Sequence, residues 1–492
     1  MRTKQIYKAM TEIGVKATSS PFERRFYGFD VTPLPAEAYW ALRGTVPQVV
    51  VRPKNAEEVS KILVWANKNE VPVTPRGGGT SGYFQSVPRR RGITIETLDL
   101  NQIDKPNADD DTVRVGAGAI WSKIETKIMS HGYRLKTYPT SYRSSTVAGW
   151  MQTEGFGIGS IMFGHLKNLI REVEIVLPTG KIASMKNGGY VTLEDGSSIE
   201  FDDLFHSEGM LVIITSVVLE IRKEPEAEKT FLLMFKNHKH FSTYAKRLAE
   251  INGVFFMEFV NGAYMDLLEQ AGFHAPEHTE ENLSLVLRFE GTSNTVNLGS
   301  EHIKAIVAED NNIEQLPEGM ADEEYDERLD YFRIKNAFCS VTPADVSVPT
   351  ESLNDFLDNT LRLRFKLAYK GELVTPDKIG LMFFMVLGNE LSLVRFMSTA
   401  PYQMEIILRA LKYGGSPHGG IGLLNTPYIY SMRTKSVRDT FIRKKEDIDE
   451  RWIMNPGKWT DPPFFLRPSI YFSAMKMLEP VCWLTGGIKR RW

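Results

Sequence analysis

Seven consecutive residues, Arg76-Gly77-Gly78-Gly79-Thr80-Ser81-Gly82, carry four glycines. Glycine accepts positive φ and has no Cβ, so such a run can turn successive backbone N–H groups toward one anion, and a diphosphate suits it well. No Lys-Ser/Thr pair follows, so this is not a Walker motif. A strand signal rather than a helix signal follows, so it is not the dinucleotide fingerprint either. Taken alone, a tight turn would explain the same glycines. Only two cysteines occur, Cys339 and Cys482. They supply neither a disulfide framework nor four ligands for an iron–sulfur cluster, and they fit a reducing, cytoplasmic location.

The elements around the run are placed to present it. Gln48 to Val51 reads as a strand. Pro53 and Asn55 open a helix with apolar Val59, Ile62, Leu63 and Ala66, and Val71 to Thr74 forms the strand that runs into Pro75. Ile93 to Ile95 and Val113 to Val115 are further strands, and Trp121 to His131 a helix. Ile170 to Leu177 alternates into a turn at Pro178-Thr179-Gly180, and Leu211 to Ile221 has the profile of a central strand. Beyond Glu224-Pro225-Glu226 the character changes. Strands at Phe231–Phe235, Leu283–Phe289 and Gly380–Leu387 alternate with helices at Phe241–Ile251 and Leu353–Phe365, the pattern of an α+β unit with helices on one sheet face. The acidic segment Pro317 to Glu327 reads as a solvated loop or helix start.

Length and charge bound the function. The 492 residues suggest roughly three folding units. Fifty-nine basic against sixty-one acidic side chains leave no basic stripe for nucleic acid. The N-terminal twenty residues have no continuous apolar stretch, so no secretory signal is expected. The longest apolar runs fall far short of the roughly 18–20 residues of a spanning helix.

The glycine run belongs to an ordered series. Val115-Gly116-Ala117-Gly118, Pro139-Thr140-Ser141 with Thr146-Val147-Ala148-Gly149, Gly155-Phe156-Gly157 with Phe163-Gly164, Val176-Leu177-Pro178-Thr179-Gly180, and Ser207-Glu208-Gly209 with Ile213-Ile214-Thr215 follow in turn. Together they resemble the FAD-linked oxidase family, which includes vanillyl-alcohol oxidase and the D-2-hydroxy acid dehydrogenases and has the PCMH-type FAD-binding fold. Glu290-Gly291-Thr292, Ala344-Asp345-Val346-Ser347-Val348-Pro349, Gly420-Ile421-Gly422 and Met454-Asn455-Pro456-Gly457-Lys458 extend the likeness to about residues 30 to 460. They place it nearest the D-lactate, glycolate and D-2-hydroxyglutarate dehydrogenases.

The resemblance implies an α+β architecture. A two-subdomain FAD-binding domain would span 1–224 (about 30–105 and 106–224), an α+β cap domain 225–410, and a C-terminal lobe returning to the flavin 411–463, with an apolar appendage at 464–492. It implies that Pro75, Arg76, Gly77, Gly78, Gly79, Thr80, Ser81 and Gly82 hold the FAD diphosphate. Pro139, Thr140, Ser141, Ala148 and Gly149 would line the flavin and ribityl chain, Gly209 and Ile214 the adenine or its ribose, and Asn455 would reach the ring. Some relatives tether FAD through a histidine in the loop. Arg76 to Gln85 has none, so FAD is expected to be non-covalent.

The pattern breaks where the chemistry lies. The family's metal strand, G-H-x-G-D-G-N-x-H, falls on Met385 to Leu393, which has no histidine, so no metal site is carried over. His418, beside Gly420-Ile421-Gly422, is the candidate proton acceptor or else a helix-entry residue. Arg333, after Tyr331-Phe332, is the candidate carboxylate clamp or else an ion pair of the acidic segment. Arg395 is a third candidate, an anion contact in place of the lost metal. His131, His165 and His206 read as structural. The expected function is an FAD-dependent dehydrogenase of a small 2-hydroxy acid, passing electrons to a protein or quinone acceptor. An iron–sulfur protein or an electron-transfer flavoprotein is the expected partner. The alternative is a flavin-carrying electron-transfer subunit without hydroxy-acid activity, and an O₂-using oxidase is a third option. The tail from Phe464 to Trp492 reads as a strap on its own domain, a docking site for a redox partner or a peripheral membrane contact at the inner face, with Pro480 interrupting any single helix.

Overall fold

The computed structural model describes residues 1–35, 37, 44–153, 155–330, 333–336, 340–363, 367–388, 390–417 and 422–484. A first sheet takes β1 (Lys16–Thr18), β2 (Val49–Arg52), β3 (Val73–Arg76) and β4 (Ile93–Glu96) in the order β1-β2-β4-β3, with β2, β4 and β3 parallel. Parallel strands need a crossover, and helix Ala56–Lys68 supplies it. Asn55 starts that helix by accepting a hydrogen bond from the Glu58 amide at 2.9 Å. Val59, Ile62, Leu63 and Ala66 are buried on its inner face. Asn55→Ala should cost about 1 kcal/mol of stability. A urea midpoint equal to that of the parent would show that the cap contributes nothing. The loop of glycines leaves the carboxyl end of β3, where open α/β sheets gather their ligands.

A second sheet combines β5 (Thr112–Gly116), β6 (Tyr133–Leu135), β7 (Ile170–Val176) and β8 (Ile182–Lys186), followed by a small hairpin of β9 (Tyr190–Thr192) and β10 (Ser198–Glu200). The long strand β11 (Ile213–Lys223) lies at its centre, in the order β5-β11-β7-β8, with β6 on the far end of β11. That central place agrees with the apolar, β-branched profile of its sequence.

The third sheet has eight antiparallel strands: β12 (Ala227–Phe235), β13 (Val254–Asn261), β14 (Leu283–Gly291), β15 (Ile313–Gln315), β16 (Ser340–Pro349), β17 (Ala368–Thr375), β18 (Lys378–Gly388) and β19 (Ser416–Pro417). Their order is β15-β12-β14-β13-β17-β18-β16-β19. Helices His238–Ala249, Ser293–Glu309, Leu353–Thr360 and Ala400–Lys412 share one core with Leu233, Phe259, Leu285 and Phe384 of its first face. The expectation of helices on one face holds for these four. Helix Gly262–Gln270 departs from it, packing Tyr264 and Leu267 with Ala368 and Phe383 on the other face. The acidic segment is a helix, Glu318–Asp326, seated on β12 with Ala321 and Tyr325 buried.

Two features tie the end of the chain to the rest. Val73 of β3 donates to Ile453 O at 2.7 Å and accepts from Asn455 N at 2.7 Å, so residues 453–455 extend the first sheet. The turn before them is held by Lys445, fully buried, whose ammonium donates to Asp449 Oδ2 at 2.8 Å, Met210 O at 2.8 Å and Met454 O at 2.9 Å. The appendage forms helix Pro468–Leu484 against helices Ala400–Lys412 and Thr426–Met432, with Tyr471 and Phe472 on Tyr428. Contrary to expectation, this helix continues through Pro480. The proline lies one turn from the helix end, so the backbone bond it deletes is among the last. Among the described residues no helix is long and apolar enough to cross a membrane.

Candidate functional site

A cavity of about 1090 Å³ opens where the glycine loop, the segment 139–149, the large sheet and the C-terminal helices meet. Pro75 through Gly82 all line it, with Pro139, Thr140, Ser141, Ala148, Gly149 and Ile214. The glycines are required by close approach. A Cβ on Gly77 would lie 2.2 Å from Thr146 Oγ1, and one on Gly78 only 2.0 Å from Ser144 O. Gly79 holds φ +67, which L side chains avoid. The Arg76 guanidinium folds under the loop against Gly79, where its Nη1 donates to Phe29 O at 2.5 Å and it lies over Tyr27 at 5.4 Å. The loop therefore offers bare amides in a shape that fits a diphosphate, and the small residues at 139–149 leave room for the rest of a dinucleotide.

Gly209 and Asn455 stand one layer behind this wall. A Cβ on Gly209 would meet Pro75 Cγ at 2.2 Å. Asn455 is fully buried at φ +41, its Nδ2 donating to Glu208 O at 2.6 Å, so it braces the wall from outside the cavity. Of the histidines read as structural, His165 sits edge-on to Phe156 with centroids 4.5 Å apart, and Phe156, not His165, lines the cavity.

The reactive side chains enter from several elements. Tyr83, next after the loop, donates its hydroxyl to Asp345 Oδ2 of β16 at 3.2 Å, and both line the cavity. Burial, with the Asp345 carboxylate beside it, pushes the Tyr83 phenol well above its ordinary range, so it stays a donor. Glu208 lines the cavity with its carboxyl buried. Burial raises its pKa against the opposing pull of Lys458, the Gly422 amide and Arg433. Lys458 in turn is lowered to about 8 by burial, while its ammonium donates to Val87 O at 2.8 Å. Arg333 is on the wall and buried, its guanidinium between Glu324, at 3.3 Å, and Glu327. Arg333 is thus the ion-pair partner of the acidic segment, one of the two alternatives read for it, and it lines the cavity. Arg395 lies in helix Leu393–Met397 and its side chain is outside the described set. His418 lies outside the described residues altogether.

Beneath this wall, on the same face of the large sheet as Asp345 and Phe383, runs a buried row of charge. Lys370 of β17 pairs with Glu258 of β13 at 2.7 Å, and Glu372 lies across from Glu258. One ammonium cannot balance two carboxylates at this depth. Burial and the neighbouring Glu258 push Glu372 up to about 8. Below about pH 4.5 the folded and unfolded chains both hold that proton. As pH rises the unfolded chain releases it first, so stability falls until the folded carboxyl also ionises. Glu372→Gln should therefore remove about 2 kcal/mol of stability loss between pH 6 and 8. Parallel urea-stability profiles for the two proteins over that range would refute the assignment.

Sequence alone assigns no role to Glu208, Tyr83 or Asp345. Glu208 and Asp345 lie in stretches that match the family's motifs, and a carboxylate inside an otherwise apolar run is the available signal. Tyr83 carries none, because its partner is 262 positions away.

Comparison with known proteins agrees with this architecture. Residues 47–186 match the family model of the FAD binding domain, and residues 224–459 that of the FAD linked oxidases, C-terminal domain. The glycolate oxidase subunit GlcD of Bacillus subtilis is 24% identical over 457 residues, 88% of this chain and 92% of the relative. The mitochondrial D-lactate dehydrogenase [cytochrome] 1 of Saccharomyces cerevisiae is 26% identical, over 85% of this chain and 73% of the relative. Among solved structures, p-cresol methylhydroxylase with substrate bound superposes with a TM-score of 0.77 at 13% identity, covering 93% of this chain and 96% of that one. An alkyldihydroxyacetonephosphate synthase reaches 0.73 at 18%, covering 92% and 86%.

Proposed function

The chain belongs to the family of FAD-linked oxidases, with D-lactate dehydrogenases and a glycolate oxidase subunit among its relatives, and from that premise we propose that it oxidises a 2-hydroxy acid and passes the electrons to a protein or quinone acceptor. The observation that carries the reading is one cavity shared by a bare-amide glycine loop and a Tyr83–Asp345 pair from the facing sheet.

In this reading the amides of Gly77 to Gly82 hold the FAD diphosphate, residues 139–149 and Ile214 enclose its remainder, and Gly209 and Asn455 brace them. The absence of histidine from Arg76 to Gln85 supports non-covalent binding. FAD, when bound, supplies the acceptor for the hydride that leaves the hydroxyl-bearing carbon as the keto acid forms. Asp345 takes the hydroxyl proton, and Tyr83 holds the carboxylate in place by its hydrogen bond. His418, the proton acceptor proposed from sequence, would stand beside them. Arg333 orients the substrate carboxylate, with Arg395 as a further anion contact. An iron–sulfur protein or an electron-transfer flavoprotein would accept the electrons, and the apolar tail is the proposed contact with it or with the inner face of a membrane.

A second reading is a flavin-carrying electron-transfer subunit, favoured by the histidine-free stretch Met385 to Leu393. Anaerobic mixing of the FAD-loaded protein with D- and L-2-hydroxy acids decides between them. Bleaching of the flavin within seconds by at least one acid is expected. A flavin bleached by no acid but rapidly by a reduced partner protein would replace the first reading with the second.

A further inference from the structure

The cavity wall has two unlike ends. One end is the short helix Arg333–Asn336, where Arg333, Lys335 and Asn336 reach the cavity. Arg333 is engaged by two carboxylates, whereas Lys335 is exposed and has no ion pair among the described residues. The other end is apolar: Ile407, Tyr428 and Met475, from the three mutually packed C-terminal helices, with Phe396 and Met397 beside them.

The two ends flank opposite faces of one strand. On β16, Asp345 looks to the side of Phe383 and the short helix, whereas Ala344 and Val346 pack with Ile407 on the other. Among the described residues, β19 covers only Val346 and Ser347 of that strand's outer edge. The cavity thus runs from a cationic mouth on one side of β16 to a greasy chamber on the other, lined in part by helix Pro468–Leu484.

A two- or three-carbon acid cannot cover such a chamber and would leave its apolar wall wet, which is unfavourable in proportion to area. Tyr471 and Met475 come from the appendage, so the tail completes the chamber instead of only strapping the fold. We propose that the substrate is amphipathic: a carboxylate held at the Arg333 end of the cavity, with Lys335 and Asn336 beside it, and an apolar chain of several carbons or a ring lying on Ile407, Tyr428 and Met475. The proposal rests on the hydroxy-acid reading for its head group and deepens it, placing a longer, apolar 2-hydroxy acid ahead of lactate and glycolate.

The test uses the full-length, FAD-loaded protein without oxygen. Glycolate, lactate, 2-hydroxyhexanoate, 2-hydroxyoctanoate and plain octanoate are titrated against it. Binding is read from the perturbed flavin spectrum and reduction from bleaching. Affinity is expected to rise about three- to fourfold for each added methylene, and octanoate, which has no hydroxyl to oxidise, should bind without bleaching. Met475→Gln should flatten that rise, and Lys335→Gln should weaken every acid by a similar factor. Equal affinity for glycolate and 2-hydroxyoctanoate would overturn the proposal, as would an unchanged rise in the Met475 variant. Tight binding of the long acids with no bleaching by any would leave the amphipathic site standing and remove the dehydrogenase reading.

Discussion

Gly78→Ala protein is expected to purify folded and colourless. A single methyl at this position would sit 2.0 Å from the carbonyl oxygen of Ser144, a backbone atom with no rotamer to yield. The loop must shift instead, and its amides move off the anion they would hold. Losing two charge-assisted hydrogen bonds at about 1.5–3 kcal/mol each weakens cofactor binding about 10²–10⁴-fold. Gly82→Ala is the contrast. A Cβ there meets nothing within 4 Å, and the residue does not hold positive φ, so that protein should keep most of its flavin. Far-ultraviolet circular dichroism establishes folding, and absorbance near the yellow flavin bands reports occupancy. A Gly78→Ala protein as yellow as Gly82→Ala would mean that the loop does not grip the diphosphate.

Asp345→Asn should retain its flavin yet reduce it about 10²–10⁴-fold more slowly with the best hydroxy acid, the usual worth of a positioned proton acceptor. Asparagine is nearly the same size and still accepts the Tyr83 hydrogen bond, so shape is kept while basicity is lost. Tyr83→Phe should cost less, on the order of tenfold, since it removes only the group that steadies the carboxylate. Stopped-flow reduction without oxygen separates these effects from acceptor turnover. Near-parental reduction by the Asp345 variant would move the proton acceptor elsewhere, with His418 first in line.

The parts of the fold that announce themselves are those whose signal is local. The Asn55 cap, the periodic Val59-Ile62-Leu63-Ala66 face and the glycines ending β3 are each set by neighbours in sequence, and each appears where the spacing puts it. The mostly apolar, β-branched stretch of β11 marks its central place for the same reason. The chemistry is less legible because it is assembled across distance. Tyr83 finds Asp345 only when the third sheet closes on the glycine loop, and Lys370 balances Glu258 through strand register alone. Pro480 shows the opposite failure, a local rule overruled because packing upstream at Tyr471 and Phe472 fixes the helix before the proline is reached. Arg333 is found as the ion-pair partner of the acidic segment, and it also lines the cavity, since a guanidinium can face a cavity and still be held by carboxylates behind it.

The seam between Val73 and residues 453–455 has a consequence for the order in which the protein is made. A ribosome that has released the first two sheets has not yet released the segment that completes the first of them. Nor has it released Lys445, which fixes that segment's approach, or Lys458, which steadies the loop after the glycines. The cofactor must therefore wait for nearly the whole polypeptide, and the early part emerges with an unfinished strand margin that needs shelter until its partner arrives.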